Sequence, residues 1–164
     1  MAALTAGTKA PDFTLSTTDG QTFSLAQALQ AGPVVAGFFK VSCPVCQYAL
    51  PFLERLYQSY GRKVQIIGVS QDDAAKTRAF MKQFGVTFPV LLDPADSYLV
   101  SNEYRLTNVP SVFFIDGGGE IEISSVGWVK ADFDQMNRMM AEHVKAAPAM
   151  VFKAGEDVRD FRAG

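Results

Sequence analysis

Cys43 and Cys46 are the two cysteines of this chain, and only Pro44 and Val45 separate them. A pair so spaced can exchange with a disulfide, supply part of a metal site, or lie inert in a core. As a structural staple it is weak, because a disulfide stabilises with the logarithm of the loop it closes and this loop is minimal. The metal reading is short of ligands. A structural zinc takes four, whereas the chain has no further cysteine and one histidine, His143, in a late helical stretch where a surface or boundary position is expected. A copper site of two thiols and a distant histidine would draw on the same residues. Haem attachment fails because Gln47 stands where a histidine is needed. No cofactor and no metal are expected.

The position of the pair favours exchange. Residues 33–39 (PVVAGFF) are a short apolar run suited to a buried strand, and from Pro44 the apolar spacing lengthens to that of a helix, through Val45, Ala49, Phe52, Leu53, Leu56 and Tyr60. Cys43 then sits at the helix mouth, where unpaired N–H groups and the positive end of the dipole favour a thiolate over a thiol. Pro44 suits the first helical position, where its missing N–H costs nothing. Cys46, about one turn further in, can close a small ring onto Cys43.

The rest of the chain supplies the scaffold. Phe13 and Leu15 alternate ahead of an Asp19-Gly20 turn and residues 22–24, which predicts a small hairpin. Ser24 then caps a short helix over residues 25–30. Pro51 falls inside the cysteine-bearing helix, which Gly61 ends. Residues 64–69 (VQIIGV) are the most β-prone run and should lie parallel to residues 34–39 through a right-handed crossover. Asp72 or Asp73 caps a helix that Gly85 ends, with Ala75, Ala79/Phe80 and Phe84 on its inward face. Residues 89–92 form another short apolar segment, and residues 96–104 a short helix with Leu99 inward. Residues 111–115 and 121–126 pair as a hairpin across Asp116-Gly117-Gly118-Gly119. Asp132 begins or caps a last helix whose shared face is Phe133, Met136/Asn137, Met140 and Val144. Strands alternating with helices, then a terminal hairpin and helix, imply an α/β fold with a mixed central sheet covered on both faces. Residues 148–164 show no clear period.

With 164 residues, 48% of them hydrophobic, the chain has ample material for one core. Lys+Arg number 15 against Asp+Glu 17, a net charge of −2, so electrostatics give no case for a nucleic-acid or membrane-surface partner. No apolar run approaches the roughly 20 residues of a spanning helix. The first residues lack the basic and apolar segments of a signal peptide, and a cytoplasmic location is expected.

These features together resemble the thioredoxin-like superfamily, in its TlpA-like and peroxiredoxin-related (AhpC/TSA-type) redoxin branch. The resemblance rests on Cys43-Pro44-Val45-Cys46 between strand and helix, Pro51 eight residues after the first cysteine, and Val109-Pro110 ahead of a strand and hairpin. It rests also on Ala10-Pro11-Asp12-Phe13 with Gly20 and Phe23-Ser24-Leu25, and on the helix-strand insert at residues 72–104. It covers residues 7–146, and implies a thioredoxin-like three-layer sandwich over residues 1–147, with an N-terminal hairpin extension and the central insert, followed by a tail at residues 148–164. It further implies a thiol-disulfide oxidoreductase in which Cys43 attacks a protein disulfide and Cys46 resolves the mixed disulfide, re-reduced by a thiol donor. A cis Val109-Pro110 bond would hold its loop against the cysteines and leave the Val109 backbone free to pair with substrate. Pro44 and Val45 complete the expected substrate contacts.

The chain departs from that pattern at three places. Ser42 replaces a frequent tryptophan, Gly37 stands where thioredoxins bury an aspartate, and Lys40 is an unusual cation at a strand end, read either as solvated or as a neighbour of the thiolate. The competing activity is a thiol peroxidase. Peroxiredoxins bind peroxide with a Thr and a Pro just ahead of the attacking cysteine, and Lys40-Val41-Ser42 supplies no Thr there. A redox-sensing or metal-handling module without catalysis is the third alternative.

Overall fold

The computed structural model describes residues 2–164. A hairpin of β1 (Thr14–Ser16) and β2 (Thr22–Ser24) leads into α1 (Leu25–Leu29), β3 (Val34–Phe39) and α2 (Pro44–Tyr60). The chain continues through β4 (Gln65–Ser70), α3 (Ala74–Phe84), β5 (Val90–Leu92) and α4 (Leu99–Glu103). It ends with β6 (Ser111–Ile115), β7 (Ile121–Val126), β8 (Trp128–Val129), α5 (Lys130–Val144) and β9 (Phe161–Arg162). The central sheet runs β5-β4-β3-β6-β7, with β3 parallel to β4 and antiparallel to β6. It is the mixed sheet expected, and β3 is its middle strand.

Strand periodicity divides the core in two. Because successive side chains point to opposite faces, Val35 and Phe39 of β3 and Val112 and Phe114 of β6 join the cluster under α2, α3 and α5. Val34, Ala36, Phe38, Phe113 and Ile115 join the cluster that holds α1, the N-terminal segment and the Val100–Tyr104 region. All six residues of β3 are buried. The cysteine-bearing turn therefore leaves the sheet from its most constrained strand.

Buried polar groups fix the helices to this sheet. Glu54 of α2 accepts from Thr87 N and Oγ1 at 2.7 and 2.6 Å and from Phe88 N at 3.3 Å, which anchors the helix to the segment entering β5. Asp93, fully buried, accepts from Val100 N, Ser101 N and Ser101 Oγ at 3.1, 2.8 and 2.6 Å, satisfying donors at the start of α4.

Three helix details differ from the sequence reading. In α3 the inward residues are Thr77 and Phe80, while Ala75 and Ala79 are exposed. Thr77 is drawn in by a 2.7 Å hydrogen bond to Ser70 Oγ, a buried polar pair that hydrophobic spacing cannot register. In α4 Leu99 is 56% exposed and Val100 and Tyr104 are buried instead. Asp93 caps the helix from the preceding loop, and that contact rotates the phase by one residue. Helix α5 begins at Lys130, with Val129 as its capping position and Asp132 in its first turn.

The tail is packed. Ala149 N donates to Tyr60 Oη at 2.8 Å and Asn137 Nδ2 to Ala149 O at 2.7 Å. Val151 is buried, Arg55 pairs with Glu156 at 2.7 Å, and β9 pairs antiparallel with β8. The Arg55 guanidinium and the Lys153 N–H hold the Glu156 carboxyl down to about 2.

Candidate active site

The turn from β3 into α2 is built around its own backbone. Cys43 is the N-cap of α2, at φ −85° and ψ 115°, and its Sγ accepts from Cys46 N at 3.2 Å. One of the orphan donors at the helix start is thus spent on sulfur. Pro44 opens the helix, Cys43 N donates to Lys40 O at 3.2 Å, and Gln47 N donates to Cys43 O at 3.0 Å. The Val41 peptide is held from both sides: its N–H donates to Asp72 Oδ2 at 2.8 Å, and its carbonyl accepts from Gln47 Nε2 at 2.9 Å.

Exposure separates the two sulfurs. Cys43 is half-buried and Cys46 is 0% exposed; both are free thiols. Burial pushes the Cys46 thiol far up from the ordinary cysteine range, and the adjacent Cys43 side chain and the charge of Asp72 push the same way, against the Lys40 backbone. Cys46 is therefore held as a thiol while nothing bonds to its neighbour.

The loop before β6 closes over this turn. Val109-Pro110 is cis, and the Cys43 thiol donates to Val109 O at 3.5 Å. Pro110 is buried and its carbonyl accepts from Gly127 N at 2.8 Å, while Ser111 Oγ donates to Asn108 O at 2.8 Å. Gly164 lies against the Val109 carbonyl so closely that a Cβ there would come within 2.4 Å of its oxygen. The tail thus borders the same loop.

Of the six residues singled out from sequence, Cys43, Cys46, Val109 and Pro110 meet in this one place. Pro44 is exposed beside them, and Val45, 9% exposed, turns into the core. At Gly37 a Cβ would lie 2.8 Å from Leu53 Cδ2, so the packing of α2 onto β3 leaves no room for a carboxylate. Asp72 and Gln47, which hold Val41, join the site without a signal of their own in the sequence. The Asp72-Asp73 pair reads as a helix cap, and Asp73 takes that role through Lys76 N at 2.8 Å, freeing Asp72 for Val41. Lys40 Nζ sits 5.3 Å from the centre of the Tyr98 ring.

Trp128, fully buried, belongs to the same core cluster as Cys46. Its ring packs on Tyr48, Phe52 and Phe133, with centroids 5.4, 4.8 and 4.7 Å away, and its Nε1 donates to Arg159 O at 2.6 Å. Among the described residues no three His, Cys, Asp or Glu side chains are grouped to hold a metal ion, and no helix is long and apolar enough to cross a membrane.

The family model described as the AhpC/TSA family matches residues 6–124. The thiol-disulfide oxidoreductase ResA of Geobacillus thermodenitrificans is 31% identical over 122 residues, which span 73% of this chain and 68% of that protein. A thiol:disulfide interchange protein of the thioredoxin family from Chlorobium tepidum superposes with a TM-score of 0.68 at 27% identity, covering 85% of this chain and 99% of that one. A secreted disulfide oxidoreductase of Mycobacterium tuberculosis superposes with a TM-score of 0.64 at 25% identity, covering 79% and 95%. The cytoplasmic location expected above has no counterpart in that secreted protein.

Proposed function

This chain belongs to the AhpC/TSA family and is a thiol-disulfide oxidoreductase with a thioredoxin-like fold, and from that premise we propose that Cys43 is its attacking sulfur and Cys46 its resolving one. The Cys43 thiolate attacks one sulfur of a substrate disulfide. That S–S bond breaks, the other substrate sulfur leaves as a thiolate that takes up a proton, and Cys43 is left in a mixed disulfide. Cys46 then gives up its proton and attacks the Cys43 sulfur; the substrate's second sulfur leaves and is protonated in turn. Two electrons and two protons have passed to the substrate, and the Cys43–Cys46 disulfide is returned to the dithiol by a thiol donor.

The observation that carries this assignment is the contrast in access: Cys43 is half-buried at the helix mouth, and Cys46, whose N–H lies 3.2 Å from Cys43 Sγ, is fully buried. An incoming disulfide meets the first sulfur, and only an attached sulfur meets the second. We place the extended substrate segment along the Val109 loop beside Cys43, where it displaces the Gly164 end of the tail from the Val109 carbonyl, with Pro110 holding the loop and Pro44 offering the exposed surface between the cysteines. We take protein disulfides as the substrate class.

Peroxide chemistry is separated from this by stopped flow. Reduced protein mixed with hydrogen peroxide should oxidise slowly and without saturation, while a substoichiometric amount with a thiol donor should reduce insulin over many turnovers. Rapid, saturating oxidation by peroxide together with no insulin turnover would overturn the proposal.

A further inference from the structure

We infer that the cavity beside Val109 is a subsite for a carboxylate, so that the enzyme prefers disulfides flanked by an acidic residue. The inference rests on the exchange chemistry proposed above and names its substrate class. The cavity, about 290 Å³, is lined by Lys40, Gln71, Tyr98, Ser101, Asn102 and Val109 among others, and no carboxylate lines it. Val109 is shared with the reacting centre, since its carbonyl is 3.5 Å from Cys43 Sγ. An extended chain advances about 3.3 Å per residue, and because Val109 belongs to both the cavity and the reacting centre, the residues that flank a cysteine bonded to Cys43 are the ones placed to enter it.

Lys40 supplies the charge. Among the described residues the one ion pair is Arg55 with Glu156, so the Lys40 ammonium has no carboxylate partner. Asp72 Oδ2 accepts from Val41 N, and both Asp93 oxygens are taken up by Val100 N, Ser101 N and Ser101 Oγ. Ser101 Oγ also accepts from Gln71 Nε2 at 3.0 Å, and Lys40 is the one charged side chain among the residues that line the cavity.

The ammonium is also positioned. Tyr98, whose ring centre lies 5.3 Å from Lys40 Nζ, is a bulky residue at φ 48° and ψ 43°, a left-handed conformation that such residues seldom adopt. A backbone held there by its surroundings is the kind of local strain that accompanies binding sites. A ring under the ammonium restrains a long side chain without neutralising it.

The test uses the reduced protein and two synthetic peptides, each with one cysteine activated as its 2-pyridyl disulfide, identical except for Glu or Gln on both sides of that cysteine. Thiopyridone release gives the second-order rate constant for each. The Glu peptide should react about fivefold to tenfold faster at low salt, the ratio should fall toward one at high ionic strength, Lys40→Met should abolish it and Lys40→Arg should keep it. A ratio of one in the wild-type protein, or a ratio that survives in Lys40→Met, would overturn the subsite. If Lys40→Met fails to fold, the salt dependence and Lys40→Arg still decide. A general effect of Lys40 on the Cys43 sulfur would lower both rates together and leave the ratio intact. Glutathione disulfide, a small carboxylate-bearing disulfide, is run alongside, and a Lys40-dependent preference confined to it would overturn the assignment to a peptide. Failure of both peptides to react would instead remove the exchange chemistry itself.

Discussion

Cys43→Ser reduces disulfides at the uncatalysed rate, a loss of at least about a thousandfold, because a serine hydroxyl does not ionise near neutrality and cannot replace the attacking thiolate. The fold should survive the change. A serine oxygen is a good acceptor for the Cys46 N–H that Cys43 Sγ now takes at 3.2 Å, so the start of α2 remains capped. Cys46→Ser should fail differently: the first attack proceeds, and the protein stalls after one event per molecule. In the wild-type protein the second step carries the signature of the buried thiol. Because burial holds Cys46 protonated, its thiolate fraction grows about tenfold per pH unit below its pKa, so release of the mixed disulfide should accelerate as pH rises through neutrality. Insulin reduction by the three proteins, with single-turnover release followed from pH 6 to 9, checks each part. Turnover by Cys43→Ser would refute the assignment.

Trp128→Ala should cost about 3–5 kcal/mol, the range for removing a large aromatic from a close-packed core. The ring is fully buried among Tyr48, Phe52, Phe133 and Phe152, so truncation opens a cavity bounded by α2, α5 and the tail. The loss also orphans Arg159 O, which now accepts from Trp128 Nε1 at 2.6 Å, and loosens the strand pairing of β8 with β9. For a domain of this size the melting temperature should fall by about 10 °C. Trp128→Phe, which keeps most of the area and loses the N–H, should cost much less. Thermal unfolding of the two variants measures the difference, and equal midpoints would show that the tail and the aromatic cluster do not depend on this ring.

The cysteine-bearing turn was legible because its signals are local. A fully apolar β3 followed at Pro44 by helical spacing needs no distant partner to be read, and the same holds for Ser24, Asp73 and Gly85 at their helix ends. What escaped the sequence depends on residues far apart along the chain. Thr77 turns inward because Ser70 is there to meet it, and Leu99 turns outward because Asp93 sets the phase of α4. The tail has no period, yet it docks through Arg55 to Glu156 and Tyr60 to Ala149, contacts between residues roughly a hundred apart. Within the site, Asp72 was hidden by its neighbour, since two adjacent aspartates before a helix look like one cap. The family resemblance supplied the cis Val109-Pro110 bond, which most X-Pro bonds would argue against.

The central claim is an order of sulfurs, and trapping tests it directly. Cys46→Ser protein is mixed with a disulfide-bonded protein substrate, quenched with acid, alkylated and mapped by mass spectrometry. The account predicts a stable covalent complex whose single intermolecular disulfide is at Cys43, and no such complex with Cys43→Ser. A complex that forms equally well on Cys46 in the Cys43→Ser protein would contradict it.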